Sequence, residues 1–477
     1  MLNKRLIKHA AKHASGGMMS ARLKQWLKDA SAEFASIACP EHSDPASIAS
    51  HLNIPPSALA RVVPLRDNNG RIAAIIPADH MLDFNAIKQH CLRDLDVMSA
   101  SDADKYFSGC VPSCRPAFAM AYGWPCIADV QLLDNDDIYI EAGNGREILR
   151  FSKAEFGRLL GDALQSTISV SPQTLTGVAT PSQDNEVISH FLPMRFKNRV
   201  QETFDLPPMP EIAQEIMMLR ADPNASARDL ATVVSKDPSL AAQIMSWANS
   251  PYYGYAGRIP SLEMAIMRVL GFEMVLNLSL GIAVGRSLNV PREGPLGLKA
   301  FWTQAVLCAV LAERLCQRMP SKIRPQRGMV YLSGLLHNFG HLLLGHVFPP
   351  QFYLVNRYVE ANPSIAVDVI EKYVLGVSHE EIGAWLMQAW QMPEELVTAV
   401  RWHHQEEFTS PFAIYSNIVL IANRLLKRIG VGDEGNGALP AAVLASLKIE
   451  AADAEAELQM LQENQHDLTM ISQKLVA

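Results

Sequence analysis

The chain has 477 residues, 49% of them hydrophobic and 19% charged, and a formal net charge of −7. Single hydrophobic cores stop growing near about 250 to 300 residues, so two domains and a connection are expected. The mildly acidic balance excludes the global basic field of an obligate nucleic-acid binder.

In chain order, the first thirty residues carry seven Lys/Arg and one acid, Asp29, among apolar residues. They read as a solvated basic helix, with contact to RNA or an anionic membrane surface as the sharper alternative. Apolar stretches RIAAIIP (71–77) and DIYIEAG (137–143) follow, bounded by the turn signals DNNG (67–70) and DNDD (134–137) and separated by helical patterns. That alternation predicts a mixed α+β domain. Seven scattered cysteines (Cys39, Cys91, Cys110, Cys114, Cys126, Cys308, Cys316) without a secretory signal read as reduced thiols in a cytoplasmic protein. Cys91, Cys110, Cys114 and Cys126 are near enough in sequence to gather around zinc, but their spacing matches no familiar finger, and buried thiols are the favoured reading.

From Gln165 to Asn185 the chain is rich in Ser, Thr, Pro and Gln, which reads as a flexible linker, drawn over 163–194. Beyond it, helix starts are well marked: Ser226 with Asp229 and Ser378 with Glu381 have capping-box spacing, and Asp237-Pro238 reads as a cap with a first-turn proline. Helix follows helix, so an all-α bundle is expected over 195–430. The apolar runs at 274–285 and 342–348 are too short to cross a membrane, which takes about 20 residues, and read as core helices; no integral membrane segment is expected. After the GDEGNG break at 432–437, Leu444, Leu447, Leu458, Leu461, Leu468 and Leu475 form a near-heptad stripe. This tail, 438–477, is expected to fold back on the bundle in preference to forming a coiled-coil dimer.

The second half carries Leu206-Pro207 with Pro210, Lys236-Asp237-Pro238, Asn249-Ser250, Ser261-Leu262, FWTQAVLCAVLAERL (301–315), GLLHNFGHLLL (334–344) and GVSHEEIGAWLMQAWQMPEELVTAVRWHH (376–404). In this order the motifs resemble an HDOD domain, the non-catalytic relative of the HD phosphohydrolases. The resemblance implies an HD-superfamily helical bundle serving as an output or adaptor module in bacterial signalling. It also places Gln304 at the early His position, His337-Asn338 at the His-Asp doublet, His379 and His403 or His404 at the later His positions, and Asn423 at the final Asp. Both carboxylates have become amides, which bring no charge to a dication, so these positions are expected to be vestigial. No cofactor is expected, and a lone divalent metal is the alternative. His337 and His341 fall at i, i+4, the spacing of a metal pair on one helical face, without the Glu of an HExxH base. His379 follows the cap Ser378, where the helix dipole disfavours an imidazolium. The aromatic stretch 247–257 offers Trp247, Asn249, Tyr252 and Tyr253 as candidate binding residues, against a plain core reading.

The first half carries ARVVPLRDNNGRIAAIIPADHMLDFNAI (60–87), CVPSCRPAFAMAYGWPCIADVQL (110–132) and DIYIEAGNGREILRFSKAEFGRLL (137–160). Over 20–162 these resemble the YbaK-type domains associated with prolyl-tRNA synthetase, which remove mischarged amino acids from tRNA. Arg61 stands where active members have lysine, and a fork is no substitute for a compact ammonium. Ser113 and Ala119 stand at loop positions that are usually glycine, where close approach or positive φ is needed. Asp129 fits the acidic position and Gly143 the following loop.

The fold class expected is therefore two-domain, α+β plus all-α. The function expected is a non-catalytic regulatory adaptor in signal transduction, acting through ligand or partner binding, with both ancestral sites degenerate. Its partners would be signalling proteins, with a nucleotide or tRNA as further candidates. An aminoacyl-tRNA deacylase and, second, a metal-dependent phosphohydrolase are the alternatives.

Overall fold

A computed structural model describes residues 19–39, 45–172, 207–255, 257 and 259–476. Most of the basic N-terminal stretch and residues 173–194 of the expected linker lie outside these. The chain divides into two compact units: the N-terminal residues to 180 together with Glu360–Ile365, and the remainder.

The first unit is the expected mixed α/β domain. Its strands are β1 (Ala35–Ala38), β2 (Leu59–Asp67), β3 (Gly70–Pro77), β4 (Met81–Leu82), β5 (Asp96–Val97), β6 (Cys126–Asp129), β7 (Asp137–Glu141), β8 (Glu147–Ser152), β9 (Leu164–Ser166) and β10 (Ser169–Val170). The main sheet runs β1-β8-β7-β2-β3-β6-β9, with β5 beside β2; β10 pairs separately with β4. The DNNG signal closes the β2–β3 hairpin, Asp67 facing Gly70 at its end. Strands β2/β7, β3/β6 and β6/β9 are parallel, and the remaining pairs in this sheet are antiparallel. Helices α1 (Ala21–Asp29), α2 (Pro45–Leu52), α3 (Phe84–Cys91), α4 (Ala100–Asp104) and α5 (Lys153–Leu160) complete the unit. Phe107, Phe118, Trp124, Phe151 and Phe156 fill its core. Residues 164–166 and 169–170, drawn into the linker from their polar composition, are instead strands β9 and β10. Ile168 N and the Ser169 hydroxyl both donate to the buried Asp129 carboxylate, which fastens this polar segment to the sheet.

The second unit is helical. Its helices are α6 (Glu211–Ala221), α7 (Ala227–Ser235), α8 (Pro238–Ala248), α9 (Leu262–Ala265), α10 (Phe272–Gly285), α11 (Leu298–Arg318), α12 (Arg327–Leu336), α13 (Phe339–Val347), α14 (Pro349–Ala361), α15 (Val367–Leu375), α16 (His379–Ala389), α17 (Glu394–Trp402), α18 (Ala413–Arg428), α19 (Ala441–Leu447), α20 (Ala451–Glu463) and α21 (Gln465–Lys474). The capping box at Ser226/Asp229 forms with both hydrogen bonds, and Asp237 caps Ser239 and Leu240 ahead of Pro238. At α16, Ser378 N donates to Glu381 Oε2 at 3.2 Å. Helix α11 runs through the middle, buried from Phe301 to Cys316 over most of its length. The tail leucines are buried in the same core as α11. Among the described residues, no single helix is long and apolar enough to cross a membrane.

Close backbone approach sets the geometry around the later site. A Cβ on Gly340 of α13 would lie 1.9 Å from His379 O, and one on Gly383 of α16 3.1 Å from Gly340 N. Only glycine lets α13 and α16 touch in this way. Gly340→Ala is therefore expected to destabilise the helical unit by ~3 kcal/mol or more, because backbone cannot yield as a side chain can. Gly157→Ala on α5, where a Cβ meets nothing within 4 Å, should instead stabilise its unit by about 0.5 to 1 kcal/mol. Urea midpoints of the two variants, compared with the parent, test both signs.

Candidate functional site

Eight segments of the helical unit deliver polar groups to one buried cluster. Gln304 comes from α11, His337-Asn338 from the α12–α13 junction, His341 from α13, Glu371 from α15 and His379 from the start of α16. His403 and His404 follow α17, Asn423 lies on α18, and Asp433-Glu434 lie in the turn beyond it. Gly432, at φ +106° and packed on Gln304, makes the turn that brings Asp433 inward. His337, His379, His403 and Asn423 are fully buried.

Asp433 is the centre of the hydrogen bonding. Gln304 Nε2 donates to its Oδ1 at 2.5 Å and Asn338 Nδ2 to its Oδ2 at 3.0 Å. His379 Nε2 and His404 Nε2 lie 3.5 and 3.4 Å from Oδ2. Glu371 Oε2 accepts from both the backbone N and Nδ1 of His379, each at 2.7 Å. His341 Nε2 stands 3.1 Å from Glu371 Oε1, close but poorly aligned for a hydrogen bond. Glu434 bonds His404 Nδ1 at 2.9 Å and meets Arg424 Nε at 3.2 Å.

Charge follows from these contacts. Burial opposes an imidazolium at His379 and His404, yet Glu371 beside the first and Glu434 and Asp433 beside the second outweigh it, and both pKa values rise. At His379 a carboxylate in contact thus outweighs the helix-end partial charges that disfavour an imidazolium. Burial lowers His337 to about 4 and lowers His403 and His341. Against the cost of burial, the histidines hold Glu371 at about 2 and Asp433 well below the usual range. Among these groups, Asn338 Oδ1, His341 Nε2, Glu371 Oε1 and Asn423 Nδ2 are buried without a hydrogen-bond partner.

The donor set fits a divalent metal. One ligand atom each from His379, His403, His404 and Asp433 lie within 4.8 Å of one another. His379 Nε2 is 3.3 Å from both His403 Nε2 and His404 Nε2. A tetrahedral centre with bonds of about 2.05 Å has edges of about 3.3 Å, so these nitrogens already stand at ligand spacing. Each ring is held by its other nitrogen, at Glu371, at Val400 O (2.9 Å) and at Glu434. That outer shell turns Nε2 inward, as in metal-binding histidines. The expectation of no cofactor is therefore replaced by a site that could hold one. A second group, His341, Glu371 and His379, shares the ligand His379. No cysteine takes part in either group.

Sequence reasoning missed Asp433, Glu434 and Glu371. The first two sat in a glycine-rich break, GDEGNG, read only as punctuation. Glu371, inside the apolar run VDVIEKYVL, was the clearer signal, because an acid at an interior position needs a partner. The i, i+4 reading of His337 and His341 is also corrected. The helix breaks at 337–338, sending His337 toward Gln304 and His403 and His341 toward Glu371 and His379.

The editing-type residues sit in the first unit and do not form one constellation. Arg61, on β2, donates from Nη2 to His80 O (3.0 Å) and Asn362 Oδ1 (2.8 Å) and from Nη1 to Ala361 O (2.9 Å). Desolvation lowers its pKa to about 10, which leaves it a cation at neutral pH. Asn362 is fully buried and also accepts from Leu82 N at 2.8 Å. Asp129 is occupied by Gln131 N, Ile168 N and Ser169 Oγ, and Ser169 in turn meets His80 Nδ1 at 3.2 Å. Ser113 does adopt the left-handed φ, +69°, that glycine would take without strain. Ala119 is buried in a 3-10 turn without positive φ. Gly143, at φ +87°, leaves only 2.7 Å between a Cβ and Cys110 Sγ, so close packing explains it.

Of the aromatic candidates, Trp247 is buried and donates from Nε1 to Tyr253 Oη at 2.8 Å. Asn249 is exposed and bonds back to Met245 O. Tyr252 and Tyr253 line a cleft.

Fold and site define a protein in which an editing-type α/β unit accompanies a helical unit with a rewired HD-type cluster. Residues 39–159 match the aminoacyl-tRNA editing domain family and residues 206–406 the HDOD domain family. A solved protein of Marinobacter aquaeolei VT8, whose name provisionally assigns it to signal transduction, is 32% identical, covers 96% of this chain and all of its own, and superposes with a TM-score of 0.81. The chain belongs to this family of HDOD proteins with an N-terminal editing domain. An uncharacterized protein of Treponema pallidum (strain Nichols) is 27% identical over 203 residues, 42% of this chain; the match spans 38% of that relative's length.

An acid at position 338 tests the charge logic. Asn338→Asp would set two buried carboxylates about 3.0 Å apart where the amide now donates to Asp433. It is expected to lower stability by about 3 kcal/mol in chelator. Thermal melts should show the loss shrinking when zinc or manganese is added.

Proposed function

We propose that this protein is a non-catalytic regulatory module of signal transduction that works by binding, and that its histidine cluster holds a divalent metal for structure. The observation that carries the reading is closure. With His379 and His403 fully buried and the side chains of His404 and Asp433 3% and 1% exposed, a phosphoester has no way to the inner nitrogens. Catalytic sites keep a position open for water or substrate, whereas four protein ligands complete a structural one. His379, His403, His404 and Asp433 would hold the metal, with Glu371, Val400 O and Glu434 orienting the rings. When bound it would supply a compact dication among buried carboxylates, which favours the folded state. Gln304 and Asn338 spend their amide protons on Asp433.

A binding role also suits the first unit. Arg61 directs both terminal nitrogens to protein oxygens, which supports loss of deacylation. The protein's partners would be signalling proteins, in keeping with the signal-transduction name of the Marinobacter relative.

Elemental analysis of untagged protein should find about one zinc, iron or manganese per chain, lost in His379→Ala together with thermal stability. Screens with bis-nitrophenyl phosphate and with mischarged prolyl-tRNA should show no turnover above that of Arg61→Ala or His337→Ala. Turnover that disappears in either variant would sink the reading.

A further inference from the structure

Away from the histidine cluster, the helical unit has a cleft of about 740 Å³, bordered by Tyr252, by Glu313, Arg314 and Arg318 on α11, by Arg327 at the start of α12 and by Glu457 on α20. Its volume lies in the range of small-molecule sites, roughly 300 to 1,000 Å³. Three guanidinium groups face two carboxylates, and the carboxylates are already engaged. Glu457, its side chain 5% exposed, accepts from Nε of Arg314 at 2.6 Å and from Nε of Arg318 at 2.5 Å. Glu313 pairs with Arg327. Tyr252 hydrogen-bonds Arg314.

The mode of pairing matters. Both arginines on α11 meet Glu457 through the inner nitrogen, which fixes the plane of each fork. Arg327 meets Glu313 through terminal Nη2 and Arg318 Nη1 stands 3.9 Å from Asp453, yet their side chains are 55% and 40% exposed, so part of each fork reaches solvent. A positioned guanidinium with accessible ends suits the oxygens of a phosphate, and a planar fork serves this better than a point charge. Met460 and Met274 add soft apolar wall beside the Tyr252 ring, a surface for a flat ring system.

We infer that this cleft binds a phosphate-bearing small molecule of nucleotide size, its phosphate on Arg318 and Arg327 and its ring against Tyr252. Helix α20 lies beyond the residues that match the HDOD family, so the tail completes the site. The inference gives the regulatory reading a ligand, and it rests on that reading only for its biological sense.

Calorimetric titration of the full chain with GDP is expected to give saturable binding that weakens with salt. Arg318→Ala and Arg327→Ala should each weaken it by about tenfold or more, as loss of a charge-assisted contact predicts. Unchanged thermal melts would show that the variants fold, and Tyr252→Leu should weaken GDP more than pyrophosphate. No saturable binding of GDP, pyrophosphate binding alone, or GDP binding that survives the double arginine variant would overturn the inference. The regulatory reading fails on turnover and this one on binding, so the two failures are distinguishable.

Discussion

A buried carboxylate, Asp433, is the constraint around which the helical unit is arranged. Taking an ion of that size from water costs several kcal/mol even after relaxation, so it survives only with near-complete hydrogen bonding and opposite charge. The partners come from separate elements: Gln304 on α11, Asn338 between α12 and α13, His379 on α16 and His404 after α17. Val367 N at the start of α15 donates to the backbone carbonyl of the same residue at 2.9 Å. One side chain and its own peptide thus tie five helices to a turn that has no apolar anchor of its own.

With amides at 304, 338 and 423, the negative charge of the cluster is carried by other residues. The amides at 304 and 338 donate toward the anion Asp433, which an aspartate in either place could not do. The acids that balance the histidines now come from 371, 433 and 434. Such a rearrangement keeps the later imidazoles useful as the partners of buried acids, with or without a metal between them. It also explains why the cluster is closed: a carboxylate that must be fully partnered cannot face a water-filled mouth.

Much of the architecture was legible from local rules. The turn chemistry of DNNG, the acids and hydroxyls at Ser226, Asp229 and Asp237, and the apolar runs at 274–285 and 342–348 each act within a few residues, and each element formed as expected. What failed did so where the deciding partner was distant in sequence. Residues 164–170 look like linker because their strand pairing is secured by Asp129, some forty residues away. Asp433 and Glu434 look like a turn because their five partners are spread over the preceding 130 residues. The His337/His341 spacing looked helical because nothing local announces that the α13–α16 contact at Gly340 redirects the chain. The tail leucines, by contrast, were readable because a stripe needs only one apolar surface to meet.

The same physics governs Arg61. A lysine ammonium can withdraw from partners and present three rotatable protons to an incoming ester, whereas a guanidinium is satisfied by oxygens fixed in its plane. Here those oxygens are supplied by His80, Ala361 and Asn362 of its own unit, and Asn362 is itself held by Leu82 N. The Arg61 charge thus holds surrounding protein oxygens in place. Arg61 is turned toward neighbouring protein atoms, while Arg318 and Arg327 of the Tyr252 cleft keep 40% and 55% of their side chains exposed. In the helical unit, exposed and oriented charge lies at that cleft, whereas the charge of the histidine cluster is buried.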